Sequence, residues 1–263
     1  MSTLTYAVHD SATMLRRNLR HAVRYPSVSL GAPLIPVMML LLFVYAFGDS
    51  IGSGIGGAGA TRDLYLEYLT PGIVVMAVAS GSMSTSISVC SDMTEGIINR
   101  FRTMDITRSS FVTGHVLGSV VQTMFSVAVV LAVAVAVGFR PDASAVEWLA
   151  ATGLLMLAAF ALTWLSVAFG LISRTVEAAS NKPLLIQFLP FIGSAFVPAE
   201  SMSPGLRWFA ENQPFTPITE ALRGLLTGSP IGNDAWSSLA WCVGIALAGY
   251  LWSRSLFDRD ATR

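Results

Sequence analysis

Six stretches of this sequence are long apolar runs with scarcely a charge in them: residues 27–47, 68–90, 111–139, 148–172, 183–197 and 235–253. Hydrocarbon offers no partner for backbone N–H and C=O groups, so a run of about 20 apolar residues is stable there only as a helix that satisfies its own backbone. The expected fold is therefore an all-α integral membrane protein with six transmembrane helices. The fifth stretch is short, and a long, only partly polar segment follows it instead of a clean loop. Only 12% of the side chains are charged, against about 25% in a soluble domain, too few to build a polar shell. Both cysteines, Cys90 and Cys242, fall in apolar stretches and read as buried thiols, with no disulfide framework. No internal repeat or soluble second domain is visible, so residues 1–263 read as a single transmembrane domain. Three helices on each side of the middle leave room for a diverged duplication.

Charges between the spans set the expected orientation, because short cytoplasmic loops carry the excess of Lys and Arg. With the N-terminus inside, Arg16, Arg17, Arg20 and Arg24 are cytoplasmic, as are Arg100, Arg102 and Arg108, then Arg174 and Lys182, and finally Arg254, Arg259 and Arg263. Only Arg62, Arg140, Arg207 and Arg223 then lie outside. Twelve against four places both termini in the cytoplasm of a multi-pass protein of the cell membrane. Before the first span, Val8, Ala12, Leu15, Leu19, Ala22 and Val23 share a helical face opposite the arginines, the pattern of an amphipathic helix lying in the interface. No early apolar core with a small-residue cleavage site precedes it, so the first span is expected to serve as an uncleaved signal. The outer loop with Gly52, Gly54, Gly56, Gly57 and Gly59 reads as a flexible link. Trp148, Trp236 and Trp252 near span ends read as interfacial anchors.

A chain built almost wholly of membrane spans invites the reading that it moves something across the bilayer, and such work needs an energy source. A phosphate-binding loop needs lysine after glycine, and the one lysine, Lys182, stands between Asn181 and Pro183. Carriers driven by protons place ionisable groups deep in the membrane. Here no Asp, Glu, Lys or Arg occupies the centre of a span. Glu67 sits at the outer edge of the second, and His115, near the inner end of the third, reads most simply as a satisfied or interfacial histidine. The chain is thus expected to be no enzyme, to hold no cofactor or metal, and to rely on an ATPase in another chain. Its net charge of zero gives no footing for nucleic acid.

The inner segment between the second and third spans is the most distinctive cytoplasmic feature. Asp92 followed by Glu95 makes a helix-start pattern. Ile97, Ile98, Phe101 and Met104 then form an apolar stripe, with Asn99, Arg100 and Arg102 elsewhere on the helix. Such a helix either floats in the interface or docks a soluble partner. On the outer side, Ser203-Pro204 and Thr216-Pro217 each read as a cap followed by proline at the first helical position. The two short helices they start carry Leu206, Trp208 and Phe209, then Ile218, Ala221, Leu222 and Leu225, on apolar sides. They are expected to re-enter the outer leaflet, as a plain closure or as a gate formed by Phe209, Phe215, Glu220 and Arg223. Glu220 and Arg223 are one turn apart and suited to pair. The second span holds Ser80, Ser82, Ser84, Thr85, Ser86 and Ser88 with Gly81. Small residues let membrane helices approach closely. The other reading makes Ser80, Ser84, Thr85 and Ser88 a weakly polar wall of a transport path.

The run Ser91-Asp-Met-Thr-Glu-Gly-Ile-Ile-Asn-Arg-Phe-Arg-Thr-Met-Asp-Ile-Thr-Arg-Ser-Ser-Phe resembles the cytoplasmic segment of ABC-2 type permeases, where a Glu-Gly pair, here Glu95 and Gly96, opens a coupling helix. Where family members often carry proline in the following turn, this chain reads Thr103-Met-Asp-Ile-Thr. The outer run Trp208-Phe-Ala-Glu-Asn-Gln-Pro-Phe-Thr-Pro-Ile-Thr-Glu-Ala-Leu-Arg-Gly-Leu-Leu is similar to that of the drug-exporter branch, the daunorubicin-resistance type. The resemblance implies a permease that pairs with a second copy of itself and with two copies of an ATP-binding cassette subunit, which would hold ATP and Mg. It implies coupling through Glu95, Gly96, Ile97, Arg100 and Phe101, and export of hydrophobic or amphiphilic small molecules such as antibiotics. A lipid, glycolipid or polysaccharide cargo is the alternative within the family, and a structural subunit that transports nothing is the alternative outside it.

Overall fold

The computed structural model describes residues 26–48, 62–94 and 108–260. Every regular element among them is helical. The first, α1 (Pro26–Leu42), continues as a π-helical turn over Phe43–Phe47. It carries Pro33 and Pro36 inside, each of which removes one backbone donor from the helical ladder. Then come α2 (Arg62–Thr94), α3 (Arg108–Val137) and α4 (Ala145–Leu171). Two short helices follow, α5 (Val176–Asn181) and α6 (Leu184–Phe188). After 3-10 turns at Leu189–Ile192 and Ala199–Ser201 come α7 (Pro204–Asn212), α8 (Phe215–Thr227) and α9 (Asp234–Asp260). The N-terminal amphipathic segment, the glycine-rich outer loop and the inner segment with Glu95, Gly96, Ile97, Arg100 and Phe101 lie outside the described residues.

Four of these helices, within α2, α3, α4 and α9, are long and apolar enough to cross a membrane, and α1 contributes a shorter apolar helix. At 1.5 Å per residue the 33 residues of α2 reach well beyond a hydrocarbon core about 30 Å thick. The helix therefore begins before the expected residue 68 and ends after residue 90, carrying Asp92 with it. Asp92 consequently sits in the last turn of α2 and does not start a new helix. The fifth apolar stretch, 183–197, is no continuous helix: α6 has five residues, the 3-10 turn four, and Gly193 is extended. Pro190, which cannot donate to the helical ladder, falls at the break.

Local signals close the elements where they fall. Ser144 and Glu147 form a reciprocal capping box at the start of α4, satisfying two donors that the first turn leaves open. Gly138 has a φ of 130° after the end of α3, and the bonds from Phe139 N to Ala134 O and from Gly138 N to Val135 O make a Schellman ending. The reversal tucks Phe139 completely inside the bundle.

The long α2 is the axis of the molecule, packed against α1, α3, α4, α5 and α8. Its Tyr65, Leu66, Leu69, Ile73 and Met76 join Leu40 and Val44 of α1, Val127 and Val130 of α3, Leu155 and Ala158 of α4, and Leu222 and Leu226 of α8 in one core. The outside is also apolar. Leu34, Met38 and Tyr45 of α1, Leu149 of α4, and Trp236, Leu247 and Leu251 of α9 are exposed, a surface suited to lipid or to another membrane subunit. Where helices touch most closely there is glycine. A Cβ on Gly249 of α9 would lie 2.7 Å from the backbone N of Leu165, and one on Gly72 of α2 would lie 2.5 Å from the carbonyl of Ala195.

Candidate functional site

Two polar clusters stand at opposite ends of the bundle, and a run of hydroxyls on α2 from Ser80 to Ser88 leads to one of them. At the C-terminal end of α2, Nε2 of His115 on α3 lies 2.9 Å from Oδ2 of Asp92, with both side chains about one-eighth exposed (13%). One turn along α3 and about two along α2, Thr85 Oγ1 donates to Ser119 Oγ at 2.6 Å, and Ser119 Oγ lies 3.5 Å from Thr163 Oγ1 of α4. Deeper still, Gly81 makes room for the side chain of Thr123. The helices are antiparallel here: as α2 descends through 81, 85 and 92, α3 rises through 115, 119 and 123.

The opposite flank of α2 is tied to the chain that follows α4. Ser86 Oγ donates to the carbonyl of Ala179 at 2.9 Å, and Cys90 Sγ to that of Ser173 at 3.5 Å. Lys182 Nζ donates to the carbonyl of Ile172 at 3.0 Å, so the single lysine stabilises a helix end.

At the opposite end of the bundle Arg223 of α8 is the hub. Its guanidinium pairs with Glu220 at 2.5 Å, as the spacing of the two residues suggested. It also donates through Nε and Nη2 to the carbonyl of Tyr68, at 3.3 and 3.1 Å, and through Nη2 to the carbonyl of Ser194 at 3.0 Å. The hydroxyl of Tyr68 donates to that same Ser194 carbonyl at 2.8 Å. A planar fork with several donors can bind three elements at once, which an ammonium on a flexible stem does poorly. Arg223 thereby fastens α8, the N-terminal part of α2 and the irregular stretch after the 3-10 turn to one another. Tyr68 and Ser194 were not visible as functional residues in the sequence. The available signal was a lone arginine within an apolar helix, which demands partners.

The other expected positions divide. Of the serine-rich set, Ser80, Ser84 and Ser88 follow one another at four-residue steps along a half-buried to exposed line of α2, whereas Ser82, Thr85 and Ser86 are buried. Hydroxyls at Ser80, Ser82 and Ser84 bond carbonyls of their own helix. Phe215 is buried, while Phe209 on α7 is 41% exposed and apart from the arginine cluster. The first outer helix starts at Pro204 after Ser203 as expected. The second starts at Phe215 after Pro214, two residues before the expected first helical residue, Pro217. Here the side chain of Gln213 does the capping, accepting from Phe215 N at 3.4 Å and donating to Thr216 Oγ1 at 3.1 Å. Pro217 then occupies the third helical position, where its missing N–H is still harmless.

Between α2, α3, α4 and α8 lies an apolar cavity of about 140 Å³, floored by Val74, Val127, Leu155 and Leu222 with Trp148 at one side and the exposed Ala128 and Thr152 at its rim. A cavity of this order lined by apolar groups admits a small hydrocarbon or an aromatic ring. Among the described residues no group of three His, Cys, Asp or Glu is placed to hold a metal ion.

Membrane-length helices whose ionisable groups are confined to their ends, around one central helix, define a multi-pass membrane protein. The sequence pattern of the ABC-2 type transporter family matches residues 10–227, and the chain belongs to that family. Over 242 residues it is 26% identical to the daunorubicin resistance ABC transporter permease protein DrrB1 of Streptomyces coeruleorubidus, covering 92% of this chain and 82% of that one. It is 22% identical over 238 residues to the probable doxorubicin resistance ABC transporter permease protein DrrC of Mycobacterium tuberculosis (strain CDC 1551 / Oshkosh), covering 89% and 84%.

Proposed function

We propose that this chain is the membrane half of an ATP-driven exporter of amphiphilic small molecules of the drug or antibiotic class. It pairs with a second copy of itself and with two copies of a separate ATP-binding subunit that holds ATP and Mg. The observation that carries this reading is where the charges stop. In the four long helices no Asp, Glu, Lys or Arg occurs between Glu67 and Asp92, between His115 and Val137, between Glu147 and Leu171, or between Asp234 and Arg254. A path so bare of ionisable groups has nothing with which to relay protons, so its energy comes from outside the membrane. The apolar cavity and the resistance permeases among its relatives support an amphiphilic cargo.

On this reading residues 1–263 form one transmembrane domain of six passes in the cell membrane, with both termini cytoplasmic, α1 as the first pass and the broken 183–197 stretch as the fifth. Glu95, Gly96, Ile97, Arg100 and Phe101 dock the ATPase. Ser80, Ser84, Thr85 and Ser88 flank the path, and α7 and α8 close its outer end through Phe209, Phe215, Glu220 and Arg223. The test is reconstitution with the cognate ATP-binding subunit in proteoliposomes, followed by the fluorescence of daunorubicin. ATP-dependent, vanadate-sensitive movement of the drug is the expected result. Movement of a labelled lipid without movement of daunorubicin would assign a lipid cargo, and movement of neither with the ATPase bound would sink the export reading.

A further inference from the structure

We infer that Asp92 and His115 form a positioning clamp that carries the motion of a docked ATPase from the inner segment into the seam between α2 and α3. The inference rests on the proposal that the segment around residues 95–101 docks that ATPase. Residues 95–107 connect the last residue of α2, Thr94, to the first of α3, Arg108. Asp92 lies in the last turn before this connection and His115 two turns into the helix after it, 23 positions apart in sequence and 2.9 Å apart in space. Any load placed on the connecting segment pulls on two helix ends that this contact holds together.

Three observations separate the contact from ordinary surface pairing. Both side chains are 13% exposed, so water screens the pair far less than a pair at the surface. It joins two different helices, whereas Arg207 with Glu211 and Arg223 with Glu220 each pair within about one turn of a single helix. It also continues the line of contacts above it. Ser119 and Thr123 on α3 meet Thr85 and Gly81 on α2, one turn apart on both helices, Asp92 reaches His115 across a further turn of α3 and about two of α2, and Ser119 leads on to Thr163 of α4. A shift of α2 against α3 at the clamp must slide hydroxyl contacts and a glycine-sized gap that fit in one register only. A small displacement at the membrane face is thereby converted into a discrete rearrangement of three helices.

A pair that merely braces the fold would set stability and nothing else, whereas a clamp sets what a bound ATPase does. The experiment uses the full-length permease in proteoliposomes with its ATP-binding subunit, measuring the affinity between the two and the turnover of ATP per bound subunit. The variants are Asp92→Asn, which keeps the shape of the side chain, His115→Ala, and the exchange Asp92→His with His115→Asp. Expected are wild-type affinity in both single variants, a change of at least about fivefold in turnover of the bound subunit, and recovery of wild-type turnover in the exchanged pair. Unchanged turnover in both single variants overturns the clamp. So does a loss of affinity and turnover together that the exchange leaves unrepaired, which would leave the pair a brace. A wild-type permease that binds the ATPase without altering its turnover also overturns the clamp, while docking stands. A wild-type permease that binds no ATPase removes the docking proposal and the clamp with it.

Discussion

The guanidinium of Arg223 lies over the ring of Tyr68, its Cζ 3.9 Å from the ring centroid, while two of its nitrogens donate to the carbonyl of the same residue. One side chain thus grips another residue by both its face and its backbone, 155 positions away in sequence. Arg223→Ala leaves the carbonyls of Tyr68 and Ser194 short of a charged donor, and it should cost on the order of 2 kcal/mol. Arg223→Lys keeps the charge without the fork and should cost about half of that. Tyr68→Phe removes a single hydroxyl bond to Ser194 and should cost about 0.6 kcal/mol, typical of hydrogen bonds within membrane bundles. Thermal unfolding of the detergent-solubilised protein ranks the three variants. A lysine variant as stable as wild type would show that the charge alone suffices.

Two glycines of α9 should behave in opposite ways. A Cβ on Gly249 meets the backbone of Trp164 and Leu165 at 2.9 and 2.7 Å, and backbone cannot rotate aside, so Gly249→Ala should cost about 1–3 kcal/mol. Around Gly244 nothing lies within 4 Å, so Gly244→Ala should be neutral or slightly stabilising through helix propensity. The same unfolding measurement compares them. Equal effects would mean that the α4–α9 contact gives way more easily than its spacing implies.

The long helices were legible because hydrocarbon imposes one solution on a chain of apolar residues, and 68–90, 111–139, 148–172 and 235–253 each fall largely within an observed helix. Their ends were not, since a helix continues past the apolar run for as long as its polar residues find partners at the interface, as Asp92 does in α2. The stretch 183–197 was apolar enough to suggest a span, yet composition says nothing of packing. Gly193 sits where the side chain of Gln213 presses against the backbone, and Ala195 is pressed against Gly72. Of the polar clusters, the Glu220–Arg223 pair could be seen because it follows helical spacing. Its partners Tyr68 and Ser194, and the pairing of Asp92 with His115, are contacts between distant parts of the chain, on which periodicity is silent. His115 could be read as satisfied, but not by what.

The bias of twelve basic residues to four makes the orientation testable by chemical access. Cys90 and Cys242 are both buried and are replaced first to give a silent background. A thiol introduced as Gly56→Cys should then react with a membrane-impermeant maleimide on intact cells. One introduced as Asp260→Cys should react only after permeabilisation. The reverse pattern would put the segment after Thr94 outside the cell, where no ATPase could reach it.

If the segment after Thr94 docks an ATPase, its chemistry assigns separate tasks to its residues. Phe101, on the apolar stripe with Ile97, is suited to enter a cleft of the ATPase as an anchor, and buried aromatic anchors are where truncation costs most. A coupling helix that opens at Glu95 and Gly96, as the family resemblance implies, is favoured by a carboxylate at its start, so loss of Glu95 should loosen the segment. Phe101→Ala should weaken capture of the ATP-binding subunit by at least about 1 kcal/mol, roughly a fivefold loss of affinity. Glu95→Ala should give a smaller loss, while both variants insert and express as wild type does, because neither residue belongs to a membrane-spanning stretch. Pull-down of the ATPase from solubilised membranes, read together with ATP turnover in proteoliposomes, measures both steps. A helix that only rests in the interface would tolerate the two changes, so wild-type capture and wild-type turnover in both variants would refute the docking role.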